Sequence, residues 1–173
     1  HEAGIRDITI MVGYLKEKFE YLIDKFDVKL LYNPEYSCKN TLATVYRARK
    51  FLKGRNVYIL SSDNWMRENM YHSYECGAWY SAAHEEGETK EWCLTFNKKG
   101  RISDVNVGGK DAWFMYGPVY LSREFSARFL PVFEAYYQIP GTEQFYWEQP
   151  YVDMLKGEAK HRLEKEDKEL LKQ

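Results

Sequence analysis

The chain has 173 residues, 45% of them hydrophobic and 17% aromatic, which bounds it to one globular domain with a single sizeable core. With 25 Lys and Arg against 26 Asp and Glu the net charge is −1, so no overall field favours nucleic acid or an anionic membrane, and no apolar run approaches the roughly 20 residues of a membrane span. Cys38, Cys76 and Cys93 are odd in number and without a CxxC pair, which argues against a disulfide framework and a zinc site and suits a reducing, cytoplasmic setting.

The opening "HEAGIRDITIMVGY" lacks an initiator Met and reads as the last turn of a helix, with Gly4 at the left-handed position that ends one, followed at once by a strand. A fragment or processed product of a longer chain is the expectation. Residues 7–12 are rich in Ile and alternate little, as in a strand covered on both faces. Leu15, Phe19, Leu22, Ile23 and Phe26 then fall at helical spacing, and "VKLLY" supplies a second strand. "NPEYSCKNT" is a polar loop, Thr41 is predicted to cap a helix running through Leu52, and "GRNVYIL" gives a third strand. Two consecutive crossovers of this length predict a parallel sheet.

Beyond Asp63 the character changes to short aromatic-rich runs, "GAWYSAAH", "EWCLTFN", "RISDVNVG" and "AWFMYGPVYL", the pattern of antiparallel hairpins and mixed-sheet strands, with "NKKG" as a turn. A helix is predicted over residues 122–138 with a kink at Pro131, and another from Thr142. Residues 156–173 alternate in charge and read as a solvated or frayed surface helix.

Two constellations carry chemistry. "SSDNW", residues 61–65, directly follows the apolar run of the third strand. Ser, Asp and Asn end strands by hydrogen-bonding their own backbone. Side chains beyond the carboxyl ends of parallel strands also face the ligand crevice, where one carboxylate with a second from elsewhere suffices to hold Mg²⁺ on a triphosphate. Asp63 fits both readings, and Glu148 in "FYWEQPYVD" is the best second acid. The other constellation is aromatic: Glu91 precedes Trp92, and Tyr146 with Trp147 precedes Glu148. A ring face beside a carboxylate suits a quaternary ammonium, worth about 0.5–2 kcal/mol per ring, although ordinary aromatic packing gives the same pattern. The four histidines show no HExxH spacing, and no GxSxG, GxGxxG or GxxxxGK[ST] motif is present. His84 with Glu85 and Glu86, and the paired glycines of "DVNVGGKD", are read as turns before they are read as sites.

Taken together, "GIRDITIMVGYLKEKFEYL", "YNPEYSCKNTLATVYRA", "VYILSSDNW", "EWCLTF" and "FYWEQ" resemble the nucleotidyltransferase family, and within it the bacterial CTP:phosphocholine cytidylyltransferases, over most of residues 4–154. The resemblance implies an α/β fold, a Rossmann-like mixed sheet flanked by helices over residues 1–155, with 156–173 as a charged helix or tail. It also implies Mg²⁺-dependent joining of CTP and phosphocholine to CDP-choline and pyrophosphate. Asp63 matches the family's strand-end metal ligand, and Glu148 aligns with a second metal acid that is Asp in the family pattern. Asn40 and Thr41 match the loop that approaches the nucleotide, with Ser62 beside Asp63. Trp92 and Tyr146 match aromatics around the choline head group, with Glu91 and Trp147 adjoining them.

The departure is at the start. The family opens with a strand, a Gly-rich loop and a basic residue that wrap the triphosphate, and His1 corresponds to a point past all three. The expectations are an N-terminally truncated chain that does not turn over, and an apolar sheet edge prone to self-association. The alternatives are a sugar-1-phosphate nucleotidyltransferase and a non-catalytic choline- or phosphocholine-binding module.

Overall fold

The computed structural model describes residues 1–170, with side chains through residue 164; the end of the predicted charged helix or tail, 171–173, lies outside the described residues. Residues 1–4 form a turn closed by the Gly4 N–H on the His1 carbonyl at 2.9 Å, with Gly4 left-handed at φ 77°. Strand β1 (Thr9–Val12), helix α1 (Tyr21–Phe26) and strand β2 (Lys29–Tyr32) follow, and β1 pairs with β2 in parallel, Thr9 opposite Lys29 through Val12 opposite Tyr32. Helix α2 (Thr41–Ala48) continues as a 3-10 turn, Arg49–Phe51. Its cap is Asn40 rather than the predicted Thr41: the Asn40 side-chain oxygen accepts the Thr41 N–H at 2.7 Å.

Strand β3 (Val57–Ile59) departs from the predicted three-stranded parallel sheet. It pairs antiparallel with the end of β5 (Ile102–Leu121), Val57 opposite Leu121, and β5 pairs antiparallel with β4 (Trp79–Phe96). Two sheets result, β1–β2 and β3–β5–β4, and among the described residues no strand joins β1 to β3. The Asp7 carboxylate nevertheless ties their starts together, 2.6 Å from Lys29 Nζ and 2.7 Å from Arg55 Nη1, and both cations hold its carboxyl below the usual range.

The four short runs predicted after Asp63 fuse into one hairpin of 18 and 20 residues, turned at Asn97, whose side-chain oxygen accepts the Lys99 and Arg101 N–H groups. The register slips at several points, and Cys93 pairs with both Asn106 and Phe114, so the ribbon bends back on itself.

Helices α3 (Arg123–Gln138) and α4 (Gln149–Lys156) pack with α2 on the three-stranded sheet, and α5 (Ala159–Leu170) follows. Ser122 caps α3 by accepting the Phe125 N–H. Pro131 lies on its exposed side and the helix runs through it, because Phe129, Phe133 and Tyr136 on the inner face are fully buried. The helix predicted from Thr142 begins instead at Gln149, since the Thr142 hydroxyl is engaged with the last carbonyls of α3, those of Tyr136 and Ile139. The main core gathers Leu42, Val45, Val119, Leu121, Phe129, Phe133 and Trp147. Among the described residues β1, α1 and β2 contribute nothing to it, and Phe19, Ile23 and Phe26 keep 40–46% of their surface exposed. No described helix is long and apolar enough to cross a membrane.

Asp153 joins three helices from a buried position. Its Oδ2 accepts the Tyr136 hydroxyl at 2.7 Å and Arg162 Nε at 2.8 Å, and its Oδ1 accepts Gln149 Nε2 at 2.7 Å. Replacement by Ala leaves the buried Tyr136 hydroxyl without an acceptor, so Asp153→Ala is expected to cost about 2–3 kcal/mol. Urea denaturation should show a lower midpoint at unchanged slope; an unmoved midpoint would contradict the assignment.

Candidate functional site

The site is built where an irregular segment, residues 143–147, runs along the start of α2. Asn40 N–H donates to the Glu143 carbonyl at 2.7 Å, and Leu42 N–H to that of Phe145 at 3.1 Å. Three side-chain bonds complete the seam: Asn40 Nδ2 to the Gln144 carbonyl (3.3 Å), Gln144 Nε2 to the Cys38 carbonyl (3.0 Å), and Trp147 N–H to Thr41 Oγ1 (3.0 Å). The polar groups of Asn40 and Thr41, matched by resemblance to a nucleotide-binding loop, are thus engaged with this segment.

The seam sends successive side chains in different directions. Tyr146 is half exposed and meets Trp92 of β4 edge to face, with centroids 5.9 Å apart and planes at 84°. The two aromatics singled out in separate parts of the sequence are therefore neighbours. Trp147 turns inward: it is buried in the main core, stacks with Tyr80 at 6.3 Å and places an edge on Phe129. It is a core residue and not a wall of an open cage, because the Thr41 hydroxyl fixes its backbone against α2. Glu91 is exposed in the irregular stretch between Thr89 and Trp92, where its N–H is taken by the Thr89 hydroxyl.

Glu148 stands at the start of α4 and is mostly buried. Its Oε1 accepts the Tyr80 hydroxyl at 2.9 Å, burial pushes its carboxyl above the usual range, and the hydroxyl offsets this only in part. The same burial and the adjacent carboxylate raise the Tyr80 phenol far above its ordinary value. No cation contributes to the shift at Glu148; the Tyr80 hydroxyl and the residue's own backbone N–H are the groups that favour its charge. Tyr80 was not singled out in the sequence; a tyrosine in an aromatic strand carries no local sign of a carboxylate 68 residues away.

Asp63 and Ser62 lie on an exposed turn past the end of β3, closed by the Asn64 N–H on the Ser61 carbonyl. The loop carrying them is anchored at its root by Tyr58, whose hydroxyl donates to Glu75, accepts the His72 N–H at 3.2 Å, and is pushed up to about 12, chiefly by burial. Among the described residues no group of three or more His, Cys, Asp or Glu could hold a metal ion. A bound divalent ion would therefore rely on one or two carboxylates and on oxygens of its ligand, the donor set Mg²⁺ accepts. Glu148, half-buried and without a cationic partner among the described residues, fits that requirement.

The loop leading into α2 is held by Glu35, which sequence reading missed although Lys39 follows at the helical i,i+4 spacing. Its carboxylate binds Lys39, accepts Arg47 at 2.8 Å and accepts the Tyr137 hydroxyl at 2.7 Å, and these partners draw its carboxyl down to about 2. Asn33, buried behind it, donates to Thr44 Oγ1 at 3.0 Å.

No family model matches the chain. In sequence it is similar to the choline-phosphate cytidylyltransferase of Streptococcus pneumoniae, 28% identical over 90% of this chain and 67% of the relative. It is also similar to the 2-aminoethylphosphonate cytidylyltransferase of Lancefieldella rimae, 30% identical over 84% of this chain and 60% of the relative. The choline-phosphate cytidylyltransferase of Haemophilus influenzae is 28% identical over 62% of this chain and 45% of the relative. In fold the chain is similar to the solved CTP:phosphocholine cytidylyltransferase from Streptococcus pneumoniae (LicC), with a TM-score of 0.84 over 90% of this chain and 68% of that one. HddC from Yersinia pseudotuberculosis, 13% identical with a TM-score of 0.56 over 86% of this chain and 65% of that one, shares the fold alone. The chain spans about two thirds or less of the length of these proteins. Its fold is the Rossmann-like α/β arrangement of a nucleotidyltransferase.

The Glu35 cluster makes a prediction about acid. A carboxyl at about 2 in the folded chain, against an ordinary 4.5, contributes stability that is complete above about pH 4.5 and lost as pH falls towards 2. Melting temperatures of wild type and Glu35→Gln should therefore differ at pH 7 and converge between pH 4.5 and 2; curves that stay parallel would show that the cluster adds nothing.

Proposed function

The chain is LicC-like in sequence and fold, and on that premise we propose that the complete protein transfers CMP from CTP to phosphocholine, forming CDP-choline and releasing pyrophosphate. The observation that carries the acceptor assignment is the Trp92–Tyr146 pair, two rings at right angles with Tyr146 half open to solvent. A trimethylammonium group has no N–H to donate, so ring faces are its natural partners.

In the proposed reaction a phosphate oxygen of phosphocholine attacks the α-phosphorus of CTP in line. A new P–O bond forms there as the bond from the α-phosphorus to the bridging oxygen breaks, and pyrophosphate leaves with that electron pair. A phosphate dianion is already a competent nucleophile, so the residues have to bind and orient. Trp92 and Tyr146 would hold the choline end, and the Tyr80 hydroxyl would fix the orientation of the Glu148 carboxylate. Asp63 and Glu148 would hold Mg²⁺, which when bound neutralises phosphate charge. Ser62, exposed beside Asp63, would meet the nucleotide together with the loop of Asn40 and Thr41.

A second reading follows from the similarity to a 2-aminoethylphosphonate cytidylyltransferase: an acceptor with a primary ammonium, which would seek carboxylates before rings. The complete protein assayed with both acceptors separates the two. Trp92→Ala is expected to raise the KM for phosphocholine about tenfold, the scale of one ring's cation–π energy, and to leave that for 2-aminoethylphosphonate nearly unmoved. Asp63→Asn is expected to abolish CDP-choline formation with an unchanged circular dichroism spectrum. Full activity in Asp63→Asn would remove the metal role, and a wild type that prefers the primary amine would favour the second reading.

A further inference from the structure

We propose that Asn40 and Thr41 are positioning residues for acceptor selectivity: without touching the acceptor, they lock residues 143–147 so that Tyr146 faces Trp92. The inference rests on the reading of Trp92 and Tyr146 as the choline-binding pair.

Residues 143–147 belong to no helix or strand, and their own backbone contributes only turn bonds, the Phe145 N–H on the Thr142 carbonyl at 3.0 Å and the Gln149 N–H on the Tyr146 carbonyl at 3.1 Å, which shape the turn without fixing it against α2. Half exposed, Tyr146 is not held by burial either. What fixes it is the seam. The carbonyl just before Phe145 is gripped by Asn40 Nδ2, and the N–H just after Tyr146 by Thr41 Oγ1, so side-chain bonds clamp the stretch on both sides of the ring. The same Asn40 uses its oxygen to cap α2, and Thr41 is the first residue of that helix. The clamp is thus mounted on the most regular element nearby, whose Leu42 and Val45 are embedded in the main core. On the far side, Trp147 is locked in that core and cannot follow a displaced Tyr146. Loss of the clamp is therefore absorbed by Tyr146 itself.

The consequence is specific to ligand chemistry. A quaternary ammonium depends on the placement of both rings, whereas a primary ammonium can be held through its N–H groups by any carboxylate within reach. Thr41→Val keeps the shape of the side chain and removes the acceptor for the Trp147 N–H; Thr41→Ser keeps the acceptor. Asn40→Asp keeps the oxygen that caps α2 and removes the donor to Gln144.

The test is calorimetry of the complete protein with phosphocholine and, separately, with 2-aminoethylphosphonate, with melting temperature recorded for each variant. The expected result is a wild-type preference for phosphocholine that falls about three- to tenfold in Thr41→Val, returns in Thr41→Ser, and falls likewise in Asn40→Asp. Should Thr41→Val be unfolded at the assay temperature, Asn40→Asp against wild type reads the same ratio. A lowered melting temperature with an unchanged preference would make the clamp merely structural and overturn the inference. A wild type with no preference would overturn the choline reading itself, and the inference with it; the two failures are told apart by the wild-type ratio alone.

Discussion

The seam between residues 38–42 and 143–147 is the constraint from which the site follows, because it joins parts of the chain more than 100 residues apart that have no shared helix or strand. Ordering five backbone residues costs on the order of 5–10 kcal/mol. Five hydrogen bonds return about 2.5–7.5 kcal/mol net. Burying Trp147, a ring of about 150–250 Å², adds about 4–6 kcal/mol. Neither contribution suffices alone and together they about balance the cost, so core and seam are interdependent. The tryptophan in the middle of "FYWEQ" holds the segment down, while on either side of it Tyr146 is half exposed against Trp92 and Glu148 accepts the Tyr80 hydroxyl.

Two glutamates show how environment divides structural from chemical work. Glu35 sits among Lys39, Arg47 and the Tyr137 hydroxyl, and its carboxyl falls to about 2. Glu148 is partnered by the Tyr80 hydroxyl and its own backbone N–H, with no cation contributing, and shifts the other way because burial outweighs both. The first has its charge fully matched and holds a loop. The second is held by hydrogen bonds alone among the described residues, and burial favours its neutral form, the condition under which a buried acid takes up a cation or a proton. Tyr80 keeps its proton because burial and the neighbouring carboxylate both oppose its ionisation, so it stays a donor to Glu148.

Local spacing made the first half of the fold legible. Apolar periodicity located β1, α1, β2, α2 and β3, and Ser122 to Gln138 read correctly as a helix because its buried face outweighs Pro131. Spacing failed where the partner is remote. The runs around Gly108 and Gly117 read as separate strands, yet these left-handed glycines, at φ 81° and 86°, are irregularities within β5. Nothing in "NVYIL" distinguishes a strand that pairs with β1 from one that pairs with Val119 and Leu121. An aromatic beside a carboxylate singled out Trp92 and Tyr146, which the structure brings into contact. It did not separate them from Trp147, since adjacent residues with one composition differ only in the direction the backbone gives them.

The division of the sheet has its own physical logic. Asp7, just before β1, bridges Lys29 of β2 and Arg55 just before β3, and among the described residues β1 and β3 each have one paired edge and one unpaired edge. The β3 side is backed by the main core, whereas the β1–α1–β2 side leaves Phe19, Ile23 and Phe26 largely in water. Unpaired edge amides cost little while water solvates them, but an apolar strand edge is a template for any other strand that arrives. The charges at the mouth of that edge are the ordinary means of keeping strangers off it. With Asp7 set against two cations, the cluster keeps a net positive charge beside these edges. The edges of β1 and β3 are therefore flanked by charge at their starts and open to backbone pairing along their length.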